Sequence, residues 1–166
     1  MGGGMDRELT KTQKQFVYNK RVFLKDTNAE GNVYFARFFE WQGEAREEFF
    51  RQNVPDHLQI LQSGTRLITV NAWMTYKRSA FLFDEILVDI KTTHLKNMSL
   101  ELFFTFINKA TDEVIAHGGE KLAFSDPAGT AIPIPPSVRE NATYFLNESS
   151  PELAELHETM RRSKIA

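Results

Sequence analysis

Two stretches of the chain carry side chains whose type and spacing could do chemistry. The first is a turn cluster, Asp26-Thr27-Asn28-Ala29-Glu30-Gly31-Asn32, that runs straight into a helical pattern over 33–52. The unsatisfied N–H groups at a helix start, with the positive end of the helix dipole, can hold a developing oxyanion. The same side chains can instead act as plain caps, with Asn28, Asn32 or Asp26 accepting from those amides. The second is Arg46. On a wheel of 100° per residue it lies about 150° from the charged stripe, which is made by Arg37, Glu40, Glu44, Glu47, Glu48 and Arg51. Its turn-neighbours are Phe35, Phe39, Gln42 and Phe50. A guanidinium among such rings needs an anionic partner, acceptors or a wet pocket. Two readings stay open: an Arg that faces a ligand, or a structural one that snorkels or pairs with a carboxylate.

Other chemistries lack their residues. Without cysteine there are no disulfides, thiolate nucleophiles or Cys-ligated metals. His57, His94, His117 and His157 do not stand at metal-ligand spacing, and there is no H-E-x-x-H, so no metal is expected. His117, on a late strand, is the one whose surroundings most need inspection. G-x-S-x-G, the P-loop and G-x-G-x-x-G are all absent.

The elements that must position these residues follow from periodicity. Gln15 to Lys25 reads as a strand. Tyr34, Phe35, Phe38, Phe39, Trp41, Ala45, Phe49 and Phe50 make the 33–52 helix apolar around most of its girth, the pattern of a buried helix. Gly43 within it suggests close backbone approach to a sheet. After a short helix or loop over 55–64 come four strand-like runs: 66–77, 85–95, 99–108 and 113–125. In the second, Ile86, Val88 and Ile90 alternate with Leu87, Asp89 and Lys91. Thr111-Asp112 reads as a hairpin turn, and Gly118-Gly119 as a bulge. One long helix followed by grouped strands implies an α+β fold with an antiparallel sheet. Residues 1–14 read as a flexible N-terminal segment and 15–145 as one domain. Residues 146–166 read as a C-terminal helical tail, with Ser150, Pro151 and Glu152 as its start.

At 166 residues the chain suits a single core. With 20 basic against 22 acidic side chains, nucleic acid is not the expected partner. Fourteen Phe residues suit a site for an apolar chain as well as simple core filling. No apolar run reaches the roughly 18 residues of a membrane span, and the start lacks a signal-peptide h-region. A cytoplasmic location away from membranes is therefore expected.

The run from Asp26 through Val33-Tyr34-Phe35, and that from Phe39-Glu40-Trp41-Gln42-Gly43 through Arg46 to Phe49, resemble the opening of hotdog proteins of the 4-hydroxybenzoyl-CoA thioesterase type. More narrowly, D-T-N-x-x-G-N-V-Y followed by W-Q-G-x-x-R-E resembles the thioesterases of enediyne polyketide pathways. Those release a polyene chain from the acyl carrier domain of an iterative synthase. The likeness in arrangement covers about 15–125, and the sharp motif covers 26–49.

The resemblance implies a hotdog fold, an antiparallel sheet wrapped around a long central helix. It implies catalytic roles for Asn28, for Arg46 in the substrate channel and for the backbone N–H of Phe35 as oxyanion donor. Asn32, Tyr34, Phe38, Phe39 and Gln42 would contact substrate. The hydroxybenzoyl-CoA enzymes carry an aspartate where this chain has Asn28. An amide cannot act as nucleophile or useful base at neutral pH, but it can orient water or the thioester carbonyl. Phe38 stands where the enediyne group usually has Tyr. The implied partners are an acyl carrier protein or CoA thioester and further copies of the chain, as homodimer or homotetramer. No cofactor is implied beyond the phosphopantetheine of the substrate. Two alternatives stand beside polyene release: a general acyl-CoA thioesterase, and a non-catalytic chaperone of the nascent chain.

Overall fold

The computed structural model describes residues 15–147. The N-terminal segment and most of the tail, with its Ser150 helix start, lie outside them. The elements are β1 (Phe16–Arg21), α1 (Arg37–Asn53), α2 (His57–Gln62), β2 (Arg66–Tyr76), β3 (Glu85–Leu95), β4 (Ser99–Asn108), β5 (Glu113–Ser125), β6 (Ala131–Ile132) and α3 (Pro136–Tyr144). The strands form one antiparallel sheet in the order β1-β3-β4-β5-β2, and β6 adds to β5. This is the hotdog arrangement. Among the described residues β2 pairs only with β5, so its eleven residues border an open edge there.

Alternation decides which face α1 covers. Ile86, Val88 and Ile90 of β3 and Leu100, Leu102, Phe104 and Phe106 of β4 are at most 2% exposed. They pack with Phe38, Trp41, Ala45 and Phe49 of α1 in one cluster. Each such large side chain contributes about 1.5–3 kcal/mol when fully buried. The opposite side of the helix is solvated and stitched by charge. Glu44 accepts from the Tyr18 hydroxyl and from Lys20, both at 2.8 Å, while Arg37 pairs with Glu40 and Arg51 with Glu48.

Several expectations need correction. α1 begins at Arg37 rather than 33, because Val33 bridges to Thr27 and the Tyr34 N–H donates to the Asp26 carbonyl. Those backbone groups are committed to a small hairpin and cannot enter the helix. The helix is not buried all round: Phe39 is 38% exposed. A side chain at Gly43 would meet nothing within 4 Å, so that glycine reflects no close approach to the sheet. Gly118 and Gly119 sit in register, and the bulges fall elsewhere, at 69–71, 92–94 and 106–107. The pair is needed for space. A Cβ on Gly118 would lie 2.0 Å from Gln42 Oε1, and one on Gly119 would lie 2.3 Å from the Trp73 ring. β1 ends at Arg21, and 24–26 forms a turn of 3-10 helix. The sequence did not foreshadow α3. The tail begins by pairing: Thr92 N–H donates to the Phe145 carbonyl, and Asn147 N–H to that of Thr92.

Candidate active site

The turn before α1 is a two-stranded tip held by its own backbone. Asn28 N–H donates to the Asn32 carbonyl at 2.9 Å, and Gly31, at φ +85°, donates back to the Asn28 carbonyl at 3.0 Å. Asn28 Oδ1 accepts from the Glu30 N–H at 2.9 Å. A backbone N–H can only donate, so this contact fixes which end of the amide is oxygen and leaves Nδ2 as the end not used by the turn. Asn28 Nδ2 can therefore offer hydrogens to a carbonyl or water, while Oδ1 is engaged by the turn. Asn32 Nδ2 reaches Ser79 Oγ at 3.4 Å. Its buried Oδ1 has no partner among the described residues. Asp26, 2% exposed, accepts from the Phe23 N–H at 2.9 Å and shapes the turn.

Where the turn meets the helix, the hydrogen-bond count leaves two donors over. Tyr34 N–H is taken by Asp26, Arg37 N–H by the Tyr34 carbonyl, and Phe38 N–H by the Phe35 carbonyl. The N–H groups of Phe35 and Ala36 have no acceptor among the described residues. They stand at the positive end of a 17-residue helix, where backbone amides attract negative charge. The Tyr76 hydroxyl of β2 donates to the Phe35 carbonyl at 2.8 Å and so fixes this peptide from the sheet side. Burial pushes the Tyr76 phenol upward, which keeps it a donor throughout neutral pH. The rings of Phe35 and Phe38 lie 6.4 and 5.4 Å from that of Tyr76.

A cavity of about 280 Å³ opens beside these groups, lined by Asn32, Phe35, Phe38, Tyr76 and Ser79 among others. Phe38 belongs mainly to the core, at 3% exposed, against Trp41 and Phe106. Tyr34 is half exposed and packs tilted against Phe35, with ring centroids 4.7 Å apart. A larger cavity, about 650 Å³, lies over the charged stripe at Glu44, Glu47 and Glu48. Its carboxylates are already paired, Glu44 with Lys20, Glu47 with Arg46 and Glu48 with Arg51, and neither Phe35 nor Ala36 lines it; size alone does not make it the site.

The structure separates Arg46 from the turn. Its Nη1 donates to Thr69 Oγ1 at 3.1 Å and to Glu120 Oε2 at 3.0 Å, and its Nη2 to Glu47 Oε1 at 2.9 Å. Of the two readings left open for Arg46, the structure shows pairing with a carboxylate, Glu120, only 6% exposed, while the buried Nε has no partner among the described residues. The fully buried Gln42 joins the cluster. Its Nε2 donates to Glu120 Oε1 at 3.2 Å and to the Gly119 carbonyl at 3.3 Å. Gln42 is thus a clamp inside the fold rather than a surface for substrate. Glu120 and Tyr76 escaped sequence reasoning. Glu120 had a signal, since it shares strand parity with the buried Leu122 and Phe124. His117 stacks on Phe103 at 5.2 Å. Gly118 faces Gln42 of α1, so His117 faces the other side of the sheet, away from this region. Among the described residues no group of His, Asp or Glu is arranged to hold a metal.

Residues 22–142 match the model of the thioesterase-like superfamily. The chain belongs to that family. It is 25% identical over 119 residues to a 1,4-dihydroxy-2-naphthoyl-CoA hydrolase of Thermosynechococcus vestitus, covering 71% of this chain and 82% of the relative. Among solved structures it resembles the dynemicin thioesterase, which binds a polyene. The TM-score is 0.77 and the identity 25%, with 82% of this chain and all of that one covered. It also resembles a gentisyl-CoA thioesterase, with TM-score 0.68, 27% identity, and 77% and 99% coverage. The protein is a thioester hydrolase of the hotdog fold. Among the described residues no helix is long and apolar enough to cross a membrane.

Proposed function

We propose that this thioesterase releases a polyene or β-keto acyl chain from the pantetheine arm of an acyl carrier protein or CoA, in the manner of enediyne-type polyketide pathways. The observation that carries the proposal is the pair of unspent amides at Phe35 and Ala36, beside a cavity that Phe35, Phe38 and Tyr76 help to line. The thioester carbonyl would accept from the Phe35 N–H, with Asn28 Nδ2 as a second donor. Water adds to the polarised carbon, and the tetrahedral oxyanion is held by the same donors. The C–S bond then breaks, and the thiol leaves with a proton. Aromatic side chains at Tyr34, Phe35, Phe38 and Phe39 suit a conjugated chain, and the polyene-binding neighbour supports that choice. The chemistry is hydrolysis and takes place in the cytoplasm.

The working unit in this proposal is a homodimer or homotetramer. The open β2 edge would otherwise invite uncontrolled pairing, and a second copy covers it. Light scattering on the eluting protein should give about twice 19.1 kDa or a multiple of it. A monomer at micromolar concentration would remove this part of the proposal.

The deciding experiment incubates the pure protein with a polyene or β-ketoacyl thioester on CoA and on a loaded carrier protein. Free acid is then measured by mass spectrometry. Release from the carrier faster than from CoA supports the pathway reading. Release from simple acyl-CoA alone makes it a general thioesterase, and tight binding without turnover makes it a chaperone.

A further inference from the structure

We propose that the turn Phe81–Asp84, together with Phe23 and Leu24, is the surface on which an acyl carrier protein docks to deliver its chain to the cavity at Phe35. The inference rests on the thioesterase reading above and names the partner of that site and the face that receives it.

Large apolar side chains stand in water here. Phe23, Leu24, Phe81, Leu82 and Phe83 are each between 40% and 75% exposed. The backbone holds their two segments side by side: Phe83 N–H donates to the Val22 carbonyl and Val22 N–H to that of Asp84, both at 2.9 Å. Single exposed apolar residues are ordinary, whereas a group of neighbours marks a surface that meets something. The turn itself is firmly built. Asp84 N–H closes it onto the Phe81 carbonyl at 3.1 Å. Asp84 Oδ2 accepts from the Phe81 N–H at 2.9 Å and from Asn108 Nδ2 at 3.1 Å. Phe83 takes the third position of that turn, at φ +69°. Glycine is the usual residue for such a backbone. A phenylalanine there strains the chain and leaves its ring in water. Neither helps the fold, so the use of the ring lies outside this chain.

Place and charge select the occupant. The loop that carries these rings begins in the cavity wall. Lys77, Arg78, Ser79 and Ala80 line the cavity together with Phe35, and the next residue, Phe81, bridges to Asn32. A protein seated on 81–83 is therefore beside the cavity. The exposed charged side chains of 21–37 and 77–84 are Arg21, Lys25, Lys77 and Arg78 against Glu30, so the margin that meets a partner is positive. Arg21 and Arg78 are shared with Glu85 and Glu113, and Lys25 and Lys77 carry the excess. An acyl carrier protein brings both things this face lacks. Its arm is joined to the protein through a phosphodiester, which is anionic, and the protein around that point can cover the rings. A free CoA thioester brings phosphates and no surface to cover them. A second copy fits less well. In a two-fold contact the face would meet itself, setting Lys25 and Lys77 against their own counterparts.

The test uses the full chain and one octanoyl group on two handles, a discrete acyl carrier protein and free pantetheine. Wild-type kcat/KM should be higher on the carrier by about tenfold or more. Phe83→Gly is the deciding variant: glycine suits φ +69°, so melting should not fall. It should lower kcat/KM on the carrier by about tenfold, through KM, and leave that on pantetheine within about twofold. Added salt should weaken turnover of the carrier substrate alone, and Lys77→Gln should flatten that dependence. Equal use of the two handles by wild-type protein overturns the proposal. So does a Phe83→Gly variant that keeps its rate on the carrier or loses it equally on both. A smaller eluting mass in Phe83→Gly gives the face to a second copy. Pelleting with anionic lipid vesicles that needs Phe83, without a loss on the carrier, gives it to a membrane. Either result also overturns the proposal. If neither thioester is hydrolysed, the thioesterase reading fails separately. Calorimetry with the carrier bearing a non-hydrolysable octanoyl thioether then reads docking alone. Binding that Phe83→Gly weakens about tenfold supports the proposal, and no binding overturns it.

Discussion

The two ends of the α1–β2 seam are built on opposite plans. At the start of the helix the polar groups are left over: the Phe35 and Ala36 amides have no acceptor among the described residues, and the turn leaves Asn28 Nδ2 unused. Rings at Tyr34 and Phe35 stand exposed around them. Eleven residues further on, the polar groups are spent on each other. Arg46 meets Thr69, Glu120 and Glu47, and Gln42 locks Glu120 from behind. An incoming carbonyl would displace nothing at the first end, whereas an incoming anion must break an ion pair at the second. The first end therefore has donors left to offer, while the second spends its polar groups on holding the fold together. An Arg among aromatic residues is not by itself an anion receptor; the buried carboxylate across the seam decides its job.

The largest effect should come from breaking the closed end. Arg46→Ala would leave Glu120 buried without its cation, at about 3–5 kcal/mol. At about 2–4 °C per kcal/mol for a domain of this size, the melting point should fall by roughly 10 °C. Calorimetric melting checks this. Unchanged melting together with lost turnover would show Arg46 to be as open as the helix start, and the contrast between the ends would collapse.

Next is the open end. Asn28→Ala should lower turnover by roughly 10–1,000-fold, the scale of losing one oxyanion donor. The turn loses only the contact to the Glu30 N–H, so melting should move by no more than about 1 kcal/mol equivalent. Steady-state rates and melting on the same sample separate the two. Wild-type turnover in that variant would reduce Asn28 to a turn-former. A smaller change is expected for Tyr76→Phe, which keeps the ring against Phe38 but removes the bond to the Phe35 carbonyl. The loss should be about 1 kcal/mol. It should fall on kcat, because a hydroxyl that polarises the peptide matters most when charge develops on the bound oxygen. An effect confined to KM would place Tyr76 in substrate contact instead.

How legible this molecule was differs along the chain. Three of the four later strands matched in their bounds, since period-two alternation is written into Ile86, Val88 and Ile90 and survives any tertiary detail. The start of α1 was misread because Val33 and Tyr34 continue its apolar pattern, while their backbone groups are bound to Thr27 and Asp26. Periodicity reports side chains and not where an N–H goes. The motif around Asn28 marked the open end, and the wheel marked Arg46 as unusual. What the wheel could not supply was the partner. Glu120 stands 74 positions away and meets Arg46 only because β5 packs beneath α1. Likewise Gly118-Gly119 looked like a bulge, since the need for space under Gln42 and Trp73 appears only once the layers are stacked.

The smallest effect expected concerns His57, which caps the closed end from α2. It is 8% exposed against the Phe50 ring, at 5.3 Å, and neither ring nitrogen has a partner among the described residues. Burial lowers its pKa, the nearby charge of Arg46 lowers it further, and Glu47 and Asp56 pull the other way. The fold thus favours neutral imidazole. That contribution to stability is complete above the ordinary value of about 6.5. It is lost as pH falls from there through the lowered value of the folded state. His57→Phe keeps a ring against Phe50 and removes the proton site. Wild-type protein should melt lower at pH 5.5 than at pH 7.5, and the variant should show a smaller difference between the two. Parallel melts at the two pH values measure this directly. If the variant's pH dependence matches that of the wild type, His57 does not feel the closed end. If the variant's dependence is steeper, the carboxylates of Glu47 and Asp56 outweigh both burial and Arg46, and the electrostatic balance assigned to the closed end has the wrong sign.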